Sequence, residues 1–185
     1  MGLYDFSLYD LICRNAQCYI GQPAWFEADT DTTVTFGQFK AQVDQLAAGL
    51  QQAGIQSGDR IGVVGKNSLA FFQLYGAAAA LGAIVVPINW RLSEDEVAFN
   101  LNDCTPAMAF VDDDFSPMVV SIRDQLASVQ RFFNLSVDGP FEALTGLMAD
   151  SSFSGESIDA DSGLVIIHTA AVAGRPRGAL VSHAN

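Results

Sequence analysis

An α/β fold built on a mostly parallel sheet of repeated βα units is what this sequence predicts, and three observations carry the prediction. From residue 60 onward apolar runs of five or six residues, at 60–65, 84–88, 107–111, 131–135 and 164–168, alternate with helical patterns. Those runs are hydrophobic throughout rather than at alternate positions, as strands covered on both faces must be. Half of the residues are hydrophobic and only 16% are charged, against about 25% in an average globular domain, so much of the chain expects cover. At 185 residues the length suits one domain, or one with part of another.

The elements follow in order from local chemistry. Ser7 is placed to cap a short helix bearing Leu8, Leu11 and Ile12. Residues 23–26 and 33–36 flank a polar turn at 29–31 and read as a small β-hairpin. Thr35 and Gln38 form a capping box, after which Phe36, Phe39, Val43, Leu46, Leu50 and Ala53 recur at steps of 3, 4, 3, 4 and 3, the apolar stripe of a helix packed on one face. Gly54 suits the left-handed residue that ends this helix, with Ile55 as the apolar contact beyond. Further helices are expected to start at Ser68, at Ser93 with Glu96 completing a second capping box, and at Ser116 with Pro117 in the first helical position. Residues 150–162, rich in Ser, Asp and Gly, read as an exposed loop.

Charge and cysteine usage narrow the function classes. Nine basic residues against 21 acidic ones leave a net charge of −12, a field that repels phosphate backbones and anionic lipid, so neither nucleic acid nor a membrane surface is an expected partner. The small and apolar stretch 76–88 is shorter than the ~20 residues a bilayer requires and contains Gly82 and Pro87. Cys13, Cys18 and Cys104 are odd in number and lack zinc-ligand spacing, so no disulfide framework or metal site is expected and the compartment is read as reducing, hence cytoplasmic. The run Asp112-Asp113-Asp114 lacks the spaced ligands of a calcium loop and reads as a solvated βα turn. The glycine spacing around Gly62 and Gly65 and the residue after Lys66 fail the Walker pattern.

Chemistry concentrates in one stretch, 164–183, where an apolar strand enters a loop of small residues with Gly174, Arg175, Arg177 and Gly178 and then a second apolar strand. Small side chains let backbone N–H groups approach an anion, and a guanidinium holds phosphate in a bidentate fork. Composition alone leaves two readings open: a phosphate loop, or a tight hairpin with Arg175 and Arg177 in solvent. His168 and His183 bracket the loop, and with no carboxylate nearby in sequence His168 reads as a satisfied core or rim histidine rather than a general base.

The loop resembles the phosphate-binding loop of the adenylate-forming enzymes, the acyl-CoA synthetase, luciferase and peptide-synthetase adenylation superfamily, whose usual form is Thr-Ser-Gly-Thr-Thr-Gly-x-Pro-Lys-Gly. Thr169, Gly174, Pro176 and Gly178 keep the pattern and Arg177 stands at the Lys, whereas Ala170, Ala171, Val172 and Ala173 depart from Ser-Gly-Thr-Thr and remove hydroxyls. Upstream, the segments 35–55, 58–61, 67–68, 82–89, 91–93 and 101–104 match successive N-terminal signatures of the same family. The resemblance implies an incomplete N-terminal domain over 1–185 that ends just after the loop at 169–178, part of an enzyme that condenses a carboxylic acid with ATP to an acyl-adenylate and passes the acyl group to CoA. It implies ATP, Mg²⁺ and CoA as cofactors, a fatty or aryl acid as substrate, and Thr169, Ala170, Ala171, Val172, Ala173, Gly174, Arg177 and Gly178 as cofactor-binding residues. The 185-residue chain by itself is expected to be inactive and to self-associate through strand edges that the missing part would cover; the alternative is a stand-alone, non-catalytic α/β binding module.

Overall fold

A computed structural model describes residues 6–28, 30–150, 153, 155, 157–169 and 175–185. Helix α1 (Leu8–Cys18) opens with Ser7 and Asp10 exchanging side-chain and backbone hydrogen bonds, and it packs on two later helices. Strands β1 (Pro23–Glu27) and β2 (Thr32–Thr35) form the expected antiparallel hairpin. Helix α2 (Phe36–Gln52) begins at the Thr35–Gln38 capping box. It ends at Gly54, φ +98°, where the Gly54 N–H donates to Gln51 and the Ile55 N–H to Leu50, closing the helix in a Schellman motif.

The βα units then unroll as β3 (Arg60–Val64), α3 (Leu69–Leu81), β4 (Ile84–Ile88), α4 (Glu94–Cys104), β5 (Met108–Val111), α5 (Ser116–Ile122), β6 (Arg131–Asn134), β7 (Glu142–Ala143), β8 (Gly163–His168) and β9 (Gly178–Ser182). Seven strands form one sheet in the order β7-β6-β5-β3-β4-β8-β9, and every pair is parallel except β8–β9. The five expected strands therefore stand within a residue of their sequence limits. Strand β7, two residues long, carries no periodic signal from which it could have been read.

Burial on both faces is why these strands are uniformly apolar. Ile61, Val63, Val85, Phe110 and Phe133 enter one core with α2 and α3, whereas Val64, Val86, Ala109, Val111 and Phe132 enter a second core with α4 and α5. Phe110 and Phe133 stack with centroids 5.0 Å apart. Two glycines permit close approaches: a Cβ on Gly62 would stand 2.7 Å from Leu101 of α4, and one on Gly49 would stand 1.5 Å from the Leu147 carbonyl oxygen.

Three expectations change in the structure. Ser116 does not cap α5 but is its first residue, 2% exposed, because the buried Asn134 draws its hydroxyl into a hydrogen bond (3.2 Å) and a 3₁₀ turn, Asp113–Phe115, already leads the chain into the helix. The acidic run is not simply solvated: Asp112 accepts the Lys66 N–H (3.3 Å), Asp113 accepts from Asn134 and Ser136, and only Asp114 is exposed, paired with the Lys66 ammonium. Within 150–162, Phe153 is buried, its ring meeting Tyr9 edge-on at 6.0 Å, since one aromatic anchor ties that loop to the core.

Gly49→Ala is expected to destabilise the fold by about 3 kcal/mol or more, because the obstacle is backbone rather than a movable side chain. Gly21→Ala, where a Cβ meets nothing within 4 Å, should change the urea midpoint little. Equal midpoints for the two variants in denaturant melts would contradict the packing described.

Candidate functional site

The carboxyl ends of β3, β4 and β8 and the start of α4 enclose a cleft of about 1070 Å³, at the end of an open α/β sheet where ligands characteristically bind. The residues after β3 supply Lys66, the turn after β4 supplies Trp90 and Arg91, α4 supplies Phe99 and Asn100, and the end of β8 supplies His168 and Thr169. Arg175 and Pro176 close the rim.

Cations gather here in a chain of net charge −12. The Arg91 guanidinium lies 4.0 Å from the Trp90 ring centroid, the Lys66 ammonium 5.7 Å from the same ring, and Arg175 5.2 Å above Phe99. Each ring holds a long side chain over the cleft without neutralising it. Lys66 also pairs with Asp114 at 2.7 Å, which raises its pKa above the ordinary value. Asn100, in the cleft wall, is 2% exposed, and its buried Oδ1 has no hydrogen-bond partner among the described residues.

The resemblance-derived residues divide into two groups. Ala170, Ala171, Val172, Ala173 and Gly174 lie outside the described residues. Thr169, Arg177 and Gly178 form the neck of the β8–β9 hairpin: the Thr169 N–H donates to the Arg177 carbonyl at 3.0 Å and its hydroxyl to the same oxygen at 3.4 Å. Gly178 faces His168 across the ladder, and a Cβ there would stand 2.7 Å from Ile166. Thr169 lines the cleft, whereas Arg177 is exposed and does not. Sequence reasoning did not assign Lys66, Arg91, Phe99 and Asn100 to the site; the signal that could have found Arg91 is its adjacency to Trp90 just after a buried strand.

His168 is buried, as a core histidine would be, and the carboxylate that its sequence neighbours lack is supplied from α4. Its side chain is 6% exposed, with Nε2 3.3 Å from Asp103 and 3.8 Å from the Cys104 sulfur, across sequence separations of 65 and 64 residues. Burial, reinforced by the Asp103 charge and opposed by Arg60, pushes the Cys104 thiol up to about 11.

A scan against protein-family models matches the AMP-binding enzyme family over residues 13–185. The chain belongs to that family. Among curated relatives it is 32% identical over 161 residues to the long-chain-fatty-acid–CoA ligase FadD13 of Mycobacterium tuberculosis, covering 86% of this chain and 32% of that protein. It is 30% identical over 182 residues to the indoleacetate–CoA ligase of Aromatoleum aromaticum, covering 95% and 35%. A crystal structure from Rhodopseudomonas palustris superposes with a TM-score of 0.89 at 37% identity, over 98% of this chain and 46% of that one. The chain thus spans about a third of the length of these curated relatives. The AMP-binding family's fold, with its mostly parallel sheet, is the one described above.

Beyond the hairpin, His183 accepts the Leu8 N–H on Nδ1 at 3.0 Å, which leaves the proton of the neutral ring on Nε2, a buried atom without a partner among the described residues. Burial lowers its pKa from the ordinary 6.5. The unfolded chain therefore takes up a proton that the folded one resists, so this contribution to stability is full above about pH 6.5 and is lost as pH falls through the lower folded value. Thermal melts of wild type and His183→Gln should converge in their pH dependence across that window, the variant losing less stability on acidification. Parallel curves for the two proteins would exclude this linkage.

Proposed function

We propose that this chain is the nucleotide-cradling N-terminal portion of an ATP-dependent acyl-CoA ligase acting on a fatty or aryl carboxylic acid. The observation that carries the proposal is the family match running through residues 169–178, where the hairpin neck opens beside a cleft bearing Lys66, Arg91 and Arg175. Both curated relatives described above are named as ligases joining a carboxylic acid to CoA. Lys66, Arg91 and Arg175 give the cleft a cationic side, beside Asp95 and Glu96, and its volume suits a nucleotide-sized ligand.

In this reading Thr169, Arg177 and the amides of residues 170–174 and Gly178 hold the ATP phosphates. Arg175 and Lys66 add positive charge from the cleft side. Mg²⁺, when bound with the nucleotide, supplies further charge neutralisation at the phosphates. The substrate carboxylate attacks the α-phosphorus, pyrophosphate leaves, and CoA thiol then displaces AMP from the acyl-adenylate. What these residues contribute is electrostatic positioning: preorganised donors placed where the phosphates' charge redistributes. Since residues 170–173 bring no hydroxyls, the guanidinium of Arg177 carries a larger share of phosphate contact than a lysine among hydroxyls would. The setting we assign is the cytoplasm, in keeping with three free cysteines and with no helix among the described residues long and apolar enough to cross a membrane.

The test is carboxylate-dependent exchange of labelled pyrophosphate into ATP. The 185-residue chain alone should be silent with fatty and aryl acids. The longer polypeptide that the proposal requires should exchange, and there Arg177→Ala should lower kcat/KM for ATP on the order of tenfold to a hundredfold, the worth of one charge-assisted hydrogen bond. Arg177→Lys should recover only part. Equal, negligible effects of Arg177→Ala and Arg175→Ala would return both arginines to the solvent-turn reading, and no exchange by the longer polypeptide would remove the ligase assignment.

A second proposal concerns the isolated chain, in which β9 is the outermost strand and carries no charged residue. Leu180 on β9 and Ile167 on β8 are 59% and 48% exposed. We propose that two copies pair through this edge, which lacks the charges and prolines that usually blunt such strands. Light scattering at tens of micromolar should report a dimer, and Leu180→Lys should return it to monomer; a monomeric wild type would overturn the pairing.

A further inference from the structure

Where α4 ends against the root of the β8–β9 hairpin, three side chains of different ligand chemistry meet. Cys104 is the last residue of α4 and Asp103 precedes it, while His168 is the last residue of β8. The helix end is held in place by Arg60, whose guanidinium donates to the Cys104 carbonyl at 2.9 Å and to the Thr105 carbonyl and hydroxyl at 3.1 and 2.8 Å. Thr105 itself takes a left-handed conformation, φ +47°. The donor atoms are thus presented from two firmly fixed elements.

Their spacing is that of one face of a coordination tetrahedron. His168 Nε2 lies 3.3 Å from Asp103 Oδ2 and 3.8 Å from Cys104 Sγ, and all three atoms fall within 4.8 Å of one another. Bonds of roughly 2.0–2.3 Å to oxygen, nitrogen and sulfur demand ligand separations of about 3.3–3.6 Å, so closure needs shifts of tenths of an ångström at the two measured edges. Gly178 lies against the cluster: a Cβ there would be 3.6 Å from His168 Nε2 and 3.8 Å from Asp103 Oδ2, and Ile166, 2.7 Å from the same point, closes that side. The Asp103 side chain is 43% exposed and gives an entry path.

We propose that Asp103, Cys104 and His168 form a three-ligand site for a divalent transition metal of the zinc type, its fourth position open to solvent on the Asp103 side. One thiolate, one imidazole and one carboxylate match the borderline-soft preferences of such an ion, whereas calcium and magnesium demand oxygen. On binding, the Cys104 S–H bond breaks, its proton passes to solvent, and the sulfur lone pair is shared with the metal; no electron is transferred. The bound ion joins the C-terminal end of α4 to the residue preceding Thr169, and so stiffens the root of the loop.

Cobalt(II) is the probe. The purified 185-residue chain, stripped with chelator and titrated with Co²⁺, should bind one equivalent. It should show a near-ultraviolet thiolate-to-cobalt band and visible bands of four-coordinate intensity, all displaced by Zn²⁺. A Cys13→Ser/Cys18→Ser background should keep these bands, and Cys104→Ser should abolish the thiolate band. Asp103→Asn and His168→Gln should weaken binding on the order of a hundredfold, and Zn²⁺ should raise the melting temperature of wild type but not of Asp103→Asn. Absence of the bands together with no zinc-dependent melting shift would overturn the site, as would a thiolate band that survives Cys104→Ser. Should Cys104→Ser fail to fold, Asp103→Asn decides alone, since its side chain is partly exposed: unchanged cobalt affinity refutes the three-ligand site.

Discussion

Helix α4 can lie against the sheet because Gly62, in the middle of β3, has no side chain, and Leu101 occupies the place a Cβ would need. From that close approach much of the functional region follows. It brings the Cys104 carbonyl within reach of Arg60 on the same strand, fixes the helix end, and sets Asp103 and Cys104 opposite the end of β8. It also stands the first turns of α4 as one wall of the cleft. A side chain at position 62 would have to displace Leu101 within the core, an overpacking that typically costs about 1–3 kcal/mol.

The second constraint is electrostatic. Lys66, Arg91 and Arg175 line the same cleft as Asp95 and Glu96, and aromatic rings hold Arg91 and Arg175 there. An ion pair would have neutralised them, whereas a ring orients a guanidinium and leaves its charge available to an anion. Lys66 stands between the two regimes, over Trp90 and also paired with Asp114, and so ties the loop after β3 to the acidic turn after β5.

Polar groups inside the sheet's margin perform a similar task for the backbone. Asn134, wholly buried at the end of β6, donates to Asp113 and Ser116 and accepts the Phe141 N–H. Its side chain joins the turn that leads into α5 to the segment just before β7, which helps place that two-residue strand without a pattern of its own. A buried amide so fully used specifies geometry as well as stability.

Strand limits, helix caps and the Schellman turn at Gly54 were legible in the sequence because each rests on interactions within a few residues: capping boxes, a 3.6-residue stripe, a glycine with positive φ. The family resemblance was legible for the same reason, its segments being contiguous. Ser116 was misread as a cap because a buried partner 18 residues away claimed its hydroxyl, and the acidic run was misread as solvated because its hydrogen-bond partners arrive from β3 and β6. The cleft's aromatic-held cations and the Asp103–Cys104–His168 cluster were beyond sequence reasoning altogether, since local spacing carries no trace of groups that meet only when α4 is laid across β3 and β8 is paired with β4. Sequence determined what each segment would become; the crossing of segments over Gly62 decided which side chains would face one another.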